Sequence, residues 1–242
     1  MRGKARMSHL THMLLTAIEK RYHFFSGTIH HSIDQDVFLR NQHWNYQRQT
    51  TSILDIRFPE SCWEGFSQSL RRKIRRVEET NCKVEECDDY EALIDQHRQS
   101  YTRRNIKPPF SKSNLVAWLN ELIKDQLIRI FILRTAVGEA LASRAVATNQ
   151  STAYDWLAGL NDGASIHNAS HRLIWDILKR MAAEGYESFD FMGTNTPGPR
   201  EFKQSFGGKT MEYFQATYFR SRAVKSLEQI QSFFMRKRRK LA

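Results

Sequence analysis

Residues 189–208, with the sequence FDFMGTNTPGPREFKQSFGG, have the residue types of a ligand-binding segment. The first residues alternate aromatic and other side chains, which is typical of the end of a strand, and Gly, Thr, Asn and Pro follow at once. A short basic amphipathic segment then presents Phe202 and Lys203, and two glycines end it. The pattern indicates either a loop that places Lys203 against a ligand or a tight connection beside a surface lysine.

The loop at 193–198 has residues that suit close contact with a bound group. Gly193 and Gly198 allow the backbone to approach a ligand, and Thr194 and Asn195 offer side-chain hydrogen bonds. Pro197, together with Pro199 just after the loop, stiffens the turn, so its hydrogen-bond donors are held in place. A plain connection between two elements has the same composition, and this alternative stays open.

The elements around this loop predict a mixed sheet. Residues 128–160 read as three strands joined by turns of about four residues, which is an antiparallel meander. A strongly periodic helix, SHRLIWDILKRMAAEG, then leads to the strand SFDFM, a spacing that suits a parallel crossover. Ligands of such sheets bind beyond the carboxyl ends of parallel neighbours. We therefore expect GLNDGASIHNAS and GTNTPGP to emerge at one edge.

The part of the chain before residue 128 reads as a strand followed by helices. SILDIRF is a strand candidate, and Ser61 with Glu64 forms a predicted capping box for the helix that carries Phe66, Leu70 and Ile74 on one stripe. Asp88 or Asp89 and then Ser111 are predicted to cap two further helices. The first fifty residues predict only an amphipathic helix over 8–24.

Positive charge is concentrated in one helix and in the C-terminal segment. RRKIRR, residues 71–76, places five positive charges within two helical turns, where like charges repel each other. The net charge is +11, and residues 220–242 hold eight Lys and Arg against one Glu. Both segments suit either contact with phosphates, as in tRNA or an anionic membrane surface, or plain solvation.

The composition is that of a chain with a packed core and no membrane span. It is 40% hydrophobic, without a run of about 18 apolar residues, and no signal peptide is expected. Three cysteines match no metal spacing and suit a reducing, cytoplasmic compartment. His167 and His171 have the spacing of metal ligands but no third ligand nearby, so we expect a rim or cap role and no metal.

Three motifs resemble the Fem-type (FemAB-like) branch of the GNAT acyltransferases. They are the run NAS.RLIWDILK...EG...FDFMG.N.PG...FK.SFGG over 168–208, the helix SLRRKIRRVEE, and the segment SYTRRNIKPPFS. The resemblance covers roughly 52–220 and implies an α/β (α+β) fold with a mixed, mostly antiparallel twisted sheet flanked by helices. It also implies three parts: an incomplete GNAT-like half or extension over 1–58, the acyltransferase domain over 59–220, and a basic tail over 221–242.

The resemblance implies transfer of an acyl or aminoacyl group to an amine, such as that of a cell-wall precursor. Lys203 falls at the family's reaction centre, and Phe202 on the aromatic residue before it. An amine that attacks an ester or thioester builds negative charge on the carbonyl oxygen, which a cation stabilises. The residues expected to hold anionic parts of the substrates, or to frame the reacting carbonyl, are Arg72, Arg75, Arg76, Arg103, Asn168, Ser170, Gly193, Thr194, Asn195 and Gly198.

The sequence is compatible with more than one activated donor. GNAT enzymes that use acetyl-CoA usually cradle its pyrophosphate with a glycine-rich turn, and NDGASIHNASHR lacks that pattern. This departure favours an aminoacyl-tRNA or acyl-carrier donor, with acyl-CoA kept as a candidate and no tightly bound cofactor expected. The rival interpretations are an inactive, shortened relative that binds nucleic acid or a membrane surface, and a fragment of a longer two-domain enzyme.

Overall fold

The computed structural model describes residues 2–31, 33, 44–161, 168–195 and 197–226 of the 242-residue chain. The chain divides into two compact units, one of residues 52–209 and the other of residues 1–51 with 210–242. The division falls within one long strand and at the start of another, and the predicted parts 1–58, 59–220 and 221–242 stay a prediction.

The 52–209 unit is built on a mixed sheet. Its strands are the end of β2 (Trp44–Asp55), β3 (Lys83–Glu86), β4 (Ile128–Arg134), β5 (Ala140–Thr148), β6 (Thr152–Leu160) and β7 (Ser188–Asp190). The pairs β2–β7, β3–β4, β4–β5 and β5–β6 are antiparallel, and β6–β7 is parallel. The predicted meander, the parallel crossover and the mostly antiparallel sheet are confirmed.

Six described helices belong to the same unit. They are α2 (Pro59–Gly65), α3 (Gln68–Glu78), α4 (Tyr90–Thr102), α5 (Lys112–Lys124), α6 (Ala169–Ala183) and α7 (Pro197–Gln204). The side chains of Ser67, Asp89 and Ser111 each accept a hydrogen bond from a first-turn amide of α3, α4 and α5, respectively.

The predicted capping box of Ser61 and Glu64 is wrong. Both residues lie inside α2, which begins with a proline and ends at Gly65, and α3 starts afresh after Ser67. The apolar stripe continues across this break, which is why its period suggested one helix. Proline is favoured at the first position of a helix, so Pro59 starts a separate short helix upstream.

The sheet of this unit is covered by helices on both faces. Phe131 and Leu133 of β4 pack in a core with α3 and α6, whereas Ile130 and Ile132 pack with α4 and α5. Successive side chains of a strand point to opposite faces, so a strand that is covered on both sides must be apolar throughout. This explains the uninterrupted apolar run of residues 130–133 in the middle of β4.

The other unit contains α1 (Arg2–Arg21), β1 (Phe24–Ile29), the first part of β2 and β8 (Lys209–Phe219) from Thr210 onward. β1 pairs antiparallel with β8, and a small core forms around Leu15, Trp44 and Tyr218. Within the part of the chain that the structure describes, no helix has the length and apolarity needed to cross a membrane.

Candidate active site

A cavity of about 770 Å³ lies within the 52–209 unit, at the edge where ligand binding was expected. The end of α4, residues 155–160 of β6, the start of α6, and α7 line it. Leu160 and Asn168, which flank the loop after β6, line the cavity together with Met192 and Gly198, which flank the loop after β7. The two predicted segments therefore meet, although residues 162–167, with His167, lie outside the described residues.

Two irregularities of β6 shape this cavity. β7 pairs only with residues 152–154 of β6, so the rest of β6 continues without β7 beside it. The register with β5 pairs Val146 with Asp155 and Ala145 with Leu157, so Trp156 is an extra residue in a β-bulge. As a result, six consecutive residues of one strand line the cavity, where a regular strand would present alternate ones.

Lys203 lies on α7 and lines the cavity. Its Nζ donates hydrogen bonds to the carbonyl oxygens of Met192, at 2.8 Å, and Gly193, at 2.9 Å. Met192 and Gly193 both have left-handed backbone conformations, with φ values of 51° and 77°, and the amide of Met192 donates to Asp190 Oδ1 at 2.7 Å. An ammonium group has three N–H donors, and the described residues take up two of those of Lys203, which leaves the third for a ligand.

The surroundings of Lys203 weaken its hydration. Burial lowers the pKa of Lys203, and the nearby Arg144 adds to this effect, while Asp155 and Asp190 partly oppose it. A cation that is shielded from water interacts more strongly with a charge that develops beside it. The position therefore suits electrostatic stabilisation of an anion inside the cavity.

A buried ion pair lines the same cavity. Arg144 of β5 donates to Asp155 Oδ2 of β6 at 2.7 Å, and the two side chains are 6% and 2% exposed. The Arg144 guanidinium also lies 5.2 Å from the centre of the Phe202 ring. Arg144 Nε and Asp155 Oδ1 have no hydrogen-bond partner among the described residues. Buried polar atoms without a partner are uncommon and point to a group that binds there.

Two histidines line the cavity as well. His97 Nδ1 lies 3.0 Å from the carbonyl oxygen of Ala158, and its Nε2 has no partner within the described ranges. The ring of His171 contacts the Phe202 ring, with centroids 4.8 Å apart, and its Nδ1 is likewise unpaired there. Burial lowers the pKa of both, that of His171 to about 4 with help from Lys73 and Arg144. Both rings are therefore neutral at pH 7.

The residues predicted from the sequence fall into two groups. Those that line the cavity are Phe202, Lys203, Arg103, Asn168, Ser170 and Gly198. Gly198 belongs to the first turn of α7, which begins at Pro197, so its assignment to the loop is corrected. Proline fits the first turn of a helix, and this lets α7 start earlier than the composition suggested. Asn168 has φ of 69° and precedes α6 without a side-chain capping hydrogen bond.

The other predicted residues do not line the cavity. Gly193 contributes its carbonyl to Lys203, whereas Thr194 is buried and accepts a hydrogen bond from Arg200 through its carbonyl, and Asn195 is exposed. The residues of α3 expected to hold anions, which are exposed and lie outside the cavity wall, are Arg72, Arg75 and Arg76. Their part in substrate binding stays a prediction.

Sequence reasoning missed the residues that the sheet brings to the cavity. The cavity-lining residues that were not predicted as site residues include His97, Tyr101, Arg104, Arg144, Asp155 and Met192. One signal was available, because the strands ALASRAVAT and AYDWLAGL each hold a single charged residue among small and apolar ones. Opposite charges in neighbouring buried strands indicate a pair.

Comparison with known proteins agrees with this arrangement. A family model described as an acetyltransferase (GNAT) domain matches residues 65–204. The crystal structure of FemX has a TM-score of 0.66 at 12% identity, over 87% of this chain and 77% of that one. L-PGS from Bacillus licheniformis gives a TM-score of 0.60 at 14% identity, over 88% and 73%.

A conserved protein of unknown function from Bacteroides thetaiotaomicron VPI-5482 has a similar likeness, with a TM-score of 0.64 at 14% identity, over 88% of this chain and 75% of that one. No curated protein sequence matches the chain significantly. At these identities the structural likeness concerns the fold, and the fold agrees with the Fem-type motifs of the sequence.

Proposed function

Because the chain belongs to the GNAT acetyltransferase family and is therefore an N-acyltransferase, we propose that the cavity around Lys203 is where an acyl or aminoacyl group passes from an activated donor to an amine. The observation that carries this proposal is the convergence of Lys203 with four buried polar atoms that lack partners among the described residues. These atoms are His97 Nε2, Arg144 Nε, Asp155 Oδ1 and His171 Nδ1.

The proposed reaction is direct attack of the amine on the donor's carbonyl carbon. Negative charge develops on the carbonyl oxygen, and the remaining N–H of Lys203 faces it. The carbonyls of Met192 and Gly193 hold the ammonium, so its position is fixed before the substrate binds. Fixed donors stabilise such a charge without having to reorganise during the reaction.

The proposed place of the donor's anionic part is the mouth of the cavity near α6. The amino end of this 15-residue helix carries partial positive charge, and Asn168 and Ser170 line the cavity there. Arg103 and Arg104 also line it, and burial together with the neighbouring Arg104 lowers the pKa of Arg103. An anionic group would relieve the repulsion between these two cations.

The donor and the acceptor are proposed by class. Family membership favours acyl-CoA as co-substrate, while aminoacyl-tRNA and acyl-carrier donors agree with the missing glycine-rich turn and with the Fem-type motifs. The acceptor class is a primary amine, with that of a cell-wall precursor as the named candidate. None of the comparisons supports tRNA or a membrane as a partner of the basic helix 71–76 or of the tail 220–240.

Substitution of Lys203 tests the proposed function. We expect Lys203→Ala to lower acyl transfer about 100- to 1,000-fold, as removal of one oxyanion donor does in other enzymes. Transfer is measured against a panel of acetyl-CoA, longer CoA thioesters, aminoacyl-tRNAs and amine acceptors, and circular dichroism checks the fold. Lys209→Ala, which removes an exposed lysine of the same unit, is the matched control. Equal turnover of the two variants would contradict the role of Lys203.

A further inference from the structure

We propose that His97 is a catalytic residue of this acyl transfer and that its Nε2 atom accepts the proton that the acceptor amine loses as the new amide bond forms. The inference rests on the proposed function and adds a proton acceptor to it. His97 lies on α4 and Lys203 lies on α7, and both residues line the same cavity.

The hydrogen bond of His97 fixes which ring nitrogen carries a proton. Nδ1 lies 3.0 Å from the carbonyl oxygen of Ala158, and a carbonyl only accepts, so Nδ1 is the N–H donor. In the neutral ring, Nε2 then has a bare lone pair. His97 is 8% exposed, and Nε2 is buried without a partner among the residues that the structure describes. An unsatisfied buried acceptor is destabilising, and an N–H group of a bound amine would satisfy it.

The scaffold holds His97 against β6. A Cβ atom at Gly159 would lie 2.5 Å from Ser143 Oγ and 2.7 Å from Gln96 Cβ, so glycine permits the close approach of α4 to the strand. Gln96 donates to the carbonyl of Ala140 at 2.8 Å and accepts from Ser143 Oγ at 2.7 Å. The residue next to His97 is therefore anchored to β5, and the ring is placed by rigid elements.

The charges around His97 favour its neutral form. Burial lowers the pKa of His97, and Arg98 contributes in the same direction, while the hydrogen bond to Ala158 opposes them. The titratable or charged groups that line the cavity or flank the ring are Arg98, Tyr101, Arg103, Arg104, Arg144, Asp155, His171 and Lys203. Most of these groups are cations, so an unprotonated ring is maintained at neutral pH.

His171 does not fit the role as well. Its ring lies against Phe202 and Phe206, with centroids 4.8 and 6.2 Å away, and its pKa is lowered to about 4. A base is most effective when its pKa lies near the working pH, so His171 is the poorer proton acceptor. We assign it the packing of the helix that carries Lys203.

The proposed step balances as follows. The amine nitrogen forms a bond to the carbonyl carbon, and the electron pair of the C=O bond moves to the oxygen beside Lys203. The pair returns as the ester or thioester bond breaks, and the leaving group departs with the bonding electrons. The nitrogen's proton moves to His97 Nε2, and the imidazolium passes it to the leaving group, which restores the neutral ring.

The substitution His97→Asn separates this role from a structural one. The asparagine amide can donate to the Ala158 carbonyl in place of Nδ1 but offers no basic nitrogen at the position of Nε2. Gln99→Asn, at an exposed position of the same helix, is the matched control. Acyl transfer is measured with the donor that the wild-type chain uses, as kcat and KM, from pH 5 to pH 9.

We expect kcat of His97→Asn to fall at least about 100-fold at pH 7, with KM of the donor nearly unchanged. The wild-type rate should fall as the pH drops through the pKa of His97, below about 6.5, because a ring that is already protonated cannot accept the proton of the amine. In His97→Asn, this decrease in rate at acidic pH should be absent. With hydroxylamine, a weak base whose adduct loses its proton more readily than that of an alkylamine, the defect should be much smaller than with an alkylamine acceptor.

Three results would overturn the inference. One is a kcat of His97→Asn within a few-fold of the Gln99→Asn control. Another is a transfer rate of His97→Asn that still decreases at acidic pH as the wild-type rate does. The third is a nitrogen NMR spectrum of the histidine-labelled wild type at pH 7 in which His97 carries its proton on Nε2. A wild-type chain that transfers no acyl group from any donor would instead refute the proposed function, and this inference with it.

Discussion

The substitution Asp155→Asn tests whether the ion pair that lines the cavity is as buried as its geometry indicates. It leaves the guanidinium of Arg144 with 6% exposure and without its carboxylate partner. Loss of one partner of a buried pair costs about 3–5 kcal/mol, because the other charge stays away from water. For a chain of this size the melting temperature falls about 2–4 °C per kcal/mol, so we expect a decrease of roughly 6–20 °C.

Urea denaturation at pH 7, followed by circular dichroism, measures the change in the free energy of unfolding. Two controls bracket the result. Glu91→Gln removes one partner of an exposed ion pair, in which the side chains of Lys112 and Glu91 are 45% and 56% exposed, and should change the free energy of unfolding far less. The double substitution Arg144→Met with Asp155→Leu removes both charges and should recover much of the loss.

The reasoning would be refuted if Asp155→Asn destabilised the protein by no more than Glu91→Gln does. That outcome would mean that water or another group compensates the charge of Arg144. The ion pair would then contribute no more to stability than an exposed pair does. A double variant that is as unstable as the single one would contradict the assignment in a different way, because the cost would then come from lost packing.

Two further predictions concern packing and pH. Gly159→Ala should lower the free energy of unfolding, measured by urea denaturation, by about 1–3 kcal/mol, because the added Cβ would overlap Ser143 and Gln96. Gly65→Ala adds a Cβ in open space and should be nearly neutral. Equal losses of stability in the two variants would contradict the close approach of α4 to β6. The pKa of His171 is about 4 in the folded chain and about 6.5 when unfolded, so the unfolded state takes up the proton first as the pH falls. Stability that is present above pH 6.5 should therefore decline by about 2 kcal/mol at pH 5, and a His171→Leu variant that declined equally would show that His171 is not the cause.

The meander, the long helix and the crossover are predictable because their signals are local. The strands of residues 128–160 are short apolar runs between turns, and α6 repeats its apolar residues at helical spacing. Pro59 and Ser67 show the limit of this reasoning, since an apolar stripe that continues across a break looks like a single helix.

The polar residues of the cavity are less predictable, since they depend on register and spacing. Arg144 meets Asp155 because Asp155 pairs with Val146, two residues along β5, which places the two side chains on the same face. The periodicity of α4 places His97 on the inner face with Leu93 and Ile94, but the contact that orients its ring depends on how closely the helix approaches β6. Lys203 was found from the motif that resembles the family, while its hydrogen-bonded state depends on the left-handed backbone before it.

The bulge in β6 also determines where the chain accepts changes of length. Ala153, before the bulge, packs in the core formed with α6, whereas Leu157, after it, packs in the core formed with α4 and α5. Deletion of Trp156 would restore strict alternation and leave Leu157 opposite Ala145, on its present face. A single-residue insertion or deletion elsewhere in the strand would instead move the later side chains to the opposite face, so changes of length are expected at the bulge and in the turns at either end of the meander.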